Sequence, residues 1–299
     1  MKHSVKEWFA VTRYWSFPVS TMPVVVTFAW IISKGLLPGG FTPWLVFILA
    51  VLGVVLLHSA GNVLSDWADH RTGVDNPDAF AVPSLVFGKF QPKEYLVFSC
   101  ILFVLGIIDG IVIVLLSGTA LLWIGGIGVL LTLGYSFLKY HALGDADIFV
   151  IFGILPVLGT AYAVTGQMQP EALVLSIPLG VITVSVLHAN NCYDSVSDKA
   201  AGIKTFAMLI GVKASAILYC VYMVIPFVAI ACAVITGQLH FLSLLCFVAA
   251  PIAYKNLRQA AQYKEKGKEA MAGLDLATAR LQLIFSLSLA AGLFVSAIV

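Results

Sequence analysis

Nine apolar runs, each long enough to cross about 30 Å of hydrocarbon, leave this chain little freedom in how it folds. They cover residues 17–33, 44–64, 95–116, 119–138, 148–165, 172–192, 214–236, 239–254 and 278–298. A bilayer offers no water to backbone N–H and C=O groups, so each run must close its own hydrogen bonds as a helix. The 299 residues are 60% hydrophobic and only 11% charged, with a mean hydropathy of +0.99, which excludes a soluble globular chain of this length. The longest polar intervals, residues 65–94, 193–213 and 255–277, are too short to fold as separate domains. The expectation is an all-α polytopic membrane protein of about nine transmembrane helices, forming a single domain over residues 1–299.

Cations fix the expected orientation. With nine spans, 16 of the 17 Lys and Arg residues belong to the N-terminus or to the side of the loops after helices two, four, six and eight; only Lys34 lies opposite. This places the N-terminus inside. The first run follows Lys2, Lys6 and Arg13 and lacks a small-residue cleavage site, so it reads as a retained span. The inner face also carries 13 of the 15 acids, all but Asp109 and Glu171, which is more than an orientation signal needs. Chemistry is therefore expected at a central cavity facing the cytoplasm, in the inner (cytoplasmic) membrane of a cell. Asp109 reads as a helix-end residue on the opposite face, without a role. A net charge of +2 and the lack of a basic tract interleaved with aromatics argue against nucleic acid as a partner. The five cysteines, scattered without C-x-x-C spacing, read as packing residues.

Two runs place acids at helical spacing where an apolar span meets its polar loop. Asn62, Asp66 and Asp69 stand at i, i+4 and i+7; Asn190, Asp194 and Asp198 stand at i, i+4 and i+8. Each set shares a helix face. Ionised groups near hydrocarbon cost about 2.5 to 3.5 kcal/mol apiece at the bilayer centre, so such residues are seldom kept without a function. An oxygen-rich face of this kind suits a hard divalent cation, and Mg²⁺ in particular combines a few carboxylates with waters and phosphate oxygens. The plainer reading, solvated helix ends capped by Asp and Asn, has to account for the same Asn-to-Asp offset occurring twice. Lys204, after the second run, has the charge to neutralise a bound phosphate, whereas Lys199 is equally well explained by the inside bias.

Gly61-Asn62-Val-Leu-Ser65-Asp66-Trp-Ala-Asp69-His-Arg71-Thr-Gly73-Val-Asp75 resembles the first motif of the UbiA superfamily of intramembrane aromatic prenyltransferases. Leu187-His188-Ala-Asn190-Asn191-Cys-Tyr193-Asp194-Ser-Val-Ser-Asp198-Lys-Ala-Ala-Gly202-Ile-Lys204-Thr205 resembles the second. The spacing is most similar to the branch that prenylates 1,4-dihydroxy-2-naphthoate on the way to menaquinone. Arg13-Tyr-Trp15-Ser16-Phe17 resembles that branch's first helix, and Tyr135-Ser-Phe-Leu-Lys139-Tyr140-His-Ala-Leu-Gly144-Asp145 its middle region. The likeness runs from about residue 10 to 215. Three positions depart from it: Ser65 replaces the usual Asn, Tyr193 an Arg that often precedes the second-motif Asp, and Val82-Pro83-Ser84-Leu85 lacks a customary Arg.

The resemblance implies transfer of a polyprenyl group from an allylic polyprenyl diphosphate to 1,4-dihydroxy-2-naphthoate, with loss of CO₂ and diphosphate. It implies two Mg²⁺ ions held by Asp66, Asp69, Asp194 and Asp198 with Asn62 and Asn190. Lys139 would assist the leaving group; Arg13, Arg71, Asn191, Lys204, Tyr135 and Tyr140 would contact substrates. The lipid bilayer would house the isoprenoid tail, and Gly125-Gly126-Ile-Gly128 on helix four either opens a tail cavity or packs closely on a neighbour. His58 and His188 read as satisfied packing residues before acceptor-binding ones. The charged segment 255–268 reads as a loop drawn to lipid headgroups. Other acceptors, such as 4-hydroxybenzoate or homogentisate, remain alternatives. A cation-coupled transporter is a weaker one, because transporters place coupling acids near the midplane and here they crowd one face.

Overall fold

A computed structural model describes residues 3–73, 85 and 87–299. Among these residues there is no strand, and nine helices are long and apolar enough to cross a membrane: α1 (Tyr14–Ser33), α2 (Thr42–Thr72), α3 (Pro92–Ser117), α4 (Ala120–Tyr140), α5 (Gly144–Thr165), α6 (Pro170–Tyr193), α7 (Val212–Ile235), α8 (Phe241–Ala260) and α9 (Leu274–Ser296). Every apolar run named above falls on one of them. A short helix, Val5–Val11, precedes α1 and is closed by a reciprocal Ser4–Glu7 capping box.

Prolines mark several helix starts, where a missing N–H costs nothing. Pro43 opens α2, Pro92 opens α3 and Pro170 opens α6. Pro156 is different, because it falls inside α5 and cannot donate to the preceding turn. The helix adapts by widening to a π-turn over Val150–Ile154, just ahead of the proline. Glycine then sets how close α5 comes to α6: a Cβ on Gly153 would lie 2.9 Å from the Cα of Gly180.

The helices form two unequal apolar packs. The larger joins α1 to α5 through α9 around Trp30, Leu179, Tyr219 and Phe285; the smaller joins α2, α3 and the N-terminal segment around Val63, Phe90, Tyr95 and Phe103. α2 runs along α3 and touches α1, α4 and α5, while α6 packs on α5, α7 and α9. The far end of α2 joins the larger pack through Val46, but its acidic half and that of α6 belong to different packs, with a cavity between them.

α2 has 31 residues, and at 1.5 Å per residue is about 46 Å long. Counted from Thr42, about 20 residues exhaust the hydrocarbon, so Asn62 stands near its edge and Asp66 and Asp69 beyond it.

Candidate functional site

The cavity has a volume of about 330 Å³. Arg13, Trp15 and Ser16 line it from the entry to α1, and His58, Asn62 and Ser65 from α2. Thr132, Tyr135 and Lys139 come from α4, Ile151 and Phe152 from the widened turn of α5, Thr183 and Asn190 from α6, and Asp275 with Leu276 from α9. Helices remote in sequence therefore converge on one chamber.

On the α2 side each acid has a basic or hydroxyl partner. Asp66 is 4% exposed and forms a salt bridge with the Arg13 guanidinium. Asp69 is 5% exposed, accepts a hydrogen bond from the Tyr140 hydroxyl and lies 3.4 Å from Lys139 Nζ. Arg13 reaches inward because its backbone is left-handed, with φ of 55° at the break between the short N-terminal helix and α1. Asn62 donates through Nδ2 to the Thr12 carbonyl at 3.0 Å, tying α2 to the same break.

The α6 side is electrostatically different. Asp194 and Asp198 make no salt bridge among the described residues. Burial pushes the Asp194 carboxyl up to about 6; the neighbouring Asp198 charge adds to the rise and Lys139 opposes it. Burial likewise raises Asp198 to about 6, again against the pull of Lys139. Asp198 Oδ2 is buried with no hydrogen-bond partner. The one ammonium of Lys139 therefore acts on acids of both helices.

Other sequence-derived candidates fall around this centre. Tyr135 and Asn190 line the cavity, whereas Asn191 is buried away from its wall with Oδ1 unpartnered. The Arg71 side chain is exposed and lies 5.0 Å over the Trp67 ring. Lys204 is also exposed, but its backbone N–H donates to the Tyr140 carbonyl at 3.3 Å, so the loop after α6 is clipped to the end of α4. Tyr193, where a cation was expected, carries one indirectly: Lys268 Nζ sits 5.2 Å over its ring. Lys199 is exposed. Asp75 and Val82-Pro83-Ser84 lie outside the described residues.

His188 is fully buried, with Nδ1 2.6 Å from Asp145 and Nε2 donating to the Ser215 carbonyl at 3.2 Å, so both ring nitrogens have partners within the protein. His58 stands between the hydroxyls of Ser20 and Ser16, at 2.9 and 3.3 Å, and faces the cavity.

A second, apolar chamber of about 190 Å³ shares His58, Thr132, Ile151 and Phe152 with the first and extends among α2, α3, α4 and α5. Gly125 and Gly128 line it, and a Cβ on Gly125 would meet nothing within 4 Å, so α4 is opened here and not closely packed. Asp109 also lines it, only 7% exposed, with Oδ2 against Gly53 of α2. This corrects the reading of Asp109 as a helix-end residue: α3 turns it inward, well before the helix ends at Ser117.

Among the described residues no three His, Cys, Asp or Glu side chains already form a cage for a metal. The donor set fits Mg²⁺ nonetheless, since that ion takes one or two carboxylates and fills its remaining positions with water and phosphate oxygens. The buried, unpartnered Asp198 Oδ2 and the oxygens of Asp194 are donors of the right hardness.

Residues 23–283 match the family model described as the UbiA prenyltransferase family. Among curated relatives, UbiA prenyltransferase domain-containing protein 1 of Xenopus tropicalis is 30% identical over 83% of this chain and 71% of its own length. The Homo sapiens protein of the same name is 35% identical over 72% of this chain and 64% of its own. Among solved structures, the apo form of a UbiA homolog from Aeropyrum pernix K1 superposes with a TM-score of 0.71 at 18% identity, covering 95% of this chain and 98% of that one. A UbiA homolog from Archaeoglobus fulgidus bound to GPP and Mg²⁺ gives 0.68 at 13%, covering 98% and 99%.

Proposed function

From a chain that belongs to the UbiA prenyltransferase family, we propose a Mg²⁺-dependent membrane enzyme that moves a polyprenyl group from an allylic diphosphate to 1,4-dihydroxy-2-naphthoate. Residues 1–299 act as one domain, with the N-terminus and the cavity mouth on the cytoplasmic side of the inner membrane. The observation that carries this reading is that Asn62 and Asn190, the first residues of the two acidic faces, line one cavity with Lys139, while the four aspartates stand behind its wall and Lys139 acts on acids of both faces.

Asp66, Asp69, Asp194 and Asp198, with Asn62 and Asn190, are the groups that would hold two Mg²⁺ ions, one per face. When bound, Mg²⁺ supplies positive charge to the diphosphate oxygens as the C–O bond breaks. Lys139 and Arg13 place two further cations at that end of the chamber, and the partnering of Lys139 with Asp69 holds its ammonium where the leaving group's charge develops. The apolar chamber bounded by Gly125, Ile151 and Phe152 takes the isoprenoid tail and keeps water from the allylic carbon. Tyr135 and Trp15 line the space where a flat acceptor would meet that carbon. Loss of the acceptor's carboxylate as CO₂ then restores the aromatic ring.

One observation favours a second acceptor class. Arg13, the cation best placed for an acceptor carboxylate, is engaged by Asp66, which suits a hydroxyarene without a carboxylate. Purified protein in nanodiscs, given geranyl or farnesyl diphosphate and either 1,4-dihydroxy-2-naphthoate or a carboxylate-free naphthol, decides between them. Prenylated product that vanishes with EDTA and in Asp66→Ala and Asp194→Ala supports the reaction and the shared site together. Transfer that persists in both variants would end the proposal.

A further inference from the structure

Of the described residues lining the 330 Å³ cavity, Asp275 is the one carboxylate. Neither acidic motif supplies it; it enters from the first turn of α9, directly after the left-handed Gly273. It is 8% exposed, so its contact with solvent space is the cavity itself. α9 packs on the Tyr14–Ser16 turn at the head of α1, which puts Asp275 and Leu276 on the same side of the chamber as Trp15. The cations lining the chamber, Arg13 and Lys139, are bridged to Asp66 and Asp69, and Asp275 makes no salt bridge among the described residues. Asp275 belongs to neither acidic face, and a carboxylate with no metal and no bridging cation repels a diphosphate, so this wall is unsuited to the donor's headgroup. It is suited to a flat ring that lies against Trp15 and offers an O–H to the carboxylate, a charge-assisted hydrogen bond of the stronger kind.

We propose that Asp275 is the acceptor-binding and proton-accepting carboxylate of this enzyme, a role that rests on the prenyl-transfer reading above. The allylic C–O bond breaks, with its electron pair leaving on diphosphate. A ring π pair forms the new C–C bond at the carbon bearing the acceptor's carboxylate, and the adjacent hydroxyl becomes a carbonyl as its proton passes to Asp275. Breaking of the C–CO₂⁻ bond returns an electron pair through the ring to that oxygen, which takes the proton back from Asp275. The residue ends as it began. With a carboxylate-free acceptor, the released diphosphate takes the ring proton in place of CO₂ loss.

The test separates binding from turnover. Equilibrium dialysis with 1-naphthol and 1-methoxynaphthalene measures whether an O–H is recognised, and Mg²⁺-dependent binding of geranyl diphosphate is followed in parallel. The wild type is expected to prefer the naphthol by about 10- to 100-fold, and Asp275→Leu to lose that preference while still binding geranyl diphosphate. Asp275→Asn, which accepts a hydrogen bond but not a proton, is expected to keep naphthol binding and lose about 10²- to 10⁴-fold in turnover. A naphthol preference unchanged in Asp275→Leu, wild-type turnover in Asp275→Asn, or loss of geranyl diphosphate binding in either variant would overturn the assignment. Selective naphthol binding that depends on Asp275 in a protein that transfers no prenyl group would support the hydroxyl site and sink the prenyl-transfer reading instead.

Discussion

The α2 and α6 acids share their spacing but not their surroundings. Asp66 and Asp69 are each matched by a partner drawn from another helix or from the break before α1, whereas the half-buried Asp194 and the buried Asp198 have no salt bridge among the described residues. A buried charge is tolerable when it is paired, and costly otherwise. The first face is therefore compensated before any metal arrives, and the second is a deficit that a cation relieves. In the proposed enzyme, two similar sequence motifs would thus serve as a preassembled anchor and a metal-dependent clamp.

The most severe way to break that contrast is Asp198→Ala, which removes a donor without freeing a partner: prenyl transfer should fall by about 10³-fold or more, while the unfolding temperature of the metal-free protein in detergent stays level or rises. Lys139→Met comes next. It should cost about 10²- to 10³-fold in turnover and weaken Mg²⁺ binding less than it weakens turnover, as isothermal titration against kinetics would reveal. Arg13→Ala removes the guanidinium bridged to the buried Asp66 and should cost about 3 kcal/mol of stability, part of it recovered when Mg²⁺ is added to the denaturation series. Equal destabilisation by Asp198→Ala and Arg13→Ala would erase the distinction between the two faces.

The smallest effect is on pH. Asp194 and Asp198, raised to about 6, stand above the ordinary carboxylate value near 3.9 of an unfolded chain. Their ionised forms therefore weigh against the fold at neutral pH, and the metal-free protein should gain stability as pH falls from 7 towards 5. Mg²⁺ binding runs the other way, because below about pH 6 the cation must displace protons; its half-saturating concentration should rise about tenfold per pH unit for each proton displaced. Midpoints that ignore pH between 5 and 7 would mean that these acids are not the clamp.

The nine spans were legible because each apolar run must be a helix in lipid, and the two acidic faces because their period is that of a helix. Lys139 and Arg13 could be named from motif likeness, yet their partners could not: Arg13–Asp66 and Lys139–Asp69 join residues 53 and 70 positions apart. Asp275 escaped notice since one acid at the start of an apolar run resembles any loop-end charge. Asp109 was misjudged for a related reason, as rotation about the α3 axis, set by packing on α2, decides whether a residue faces lipid or the chamber. Pro156 lies inside an apolar run, and hydropathy alone does not show that the helix widens before it and presents Ile151 and Phe152 to both chambers.

The length of α2 carries a last consequence. Its apolar part is used up near Asn62, so the helix works as a ruler that hangs the first acidic face a fixed distance from its far end. A bilayer a few Å thicker must let α2 tilt less, stretch its flanks or draw Asn62 and Asp66 towards the acyl region, at fractions of a kcal/mol per Å. Turnover in the proposed enzyme should therefore vary with the acyl-chain length of its host lipids.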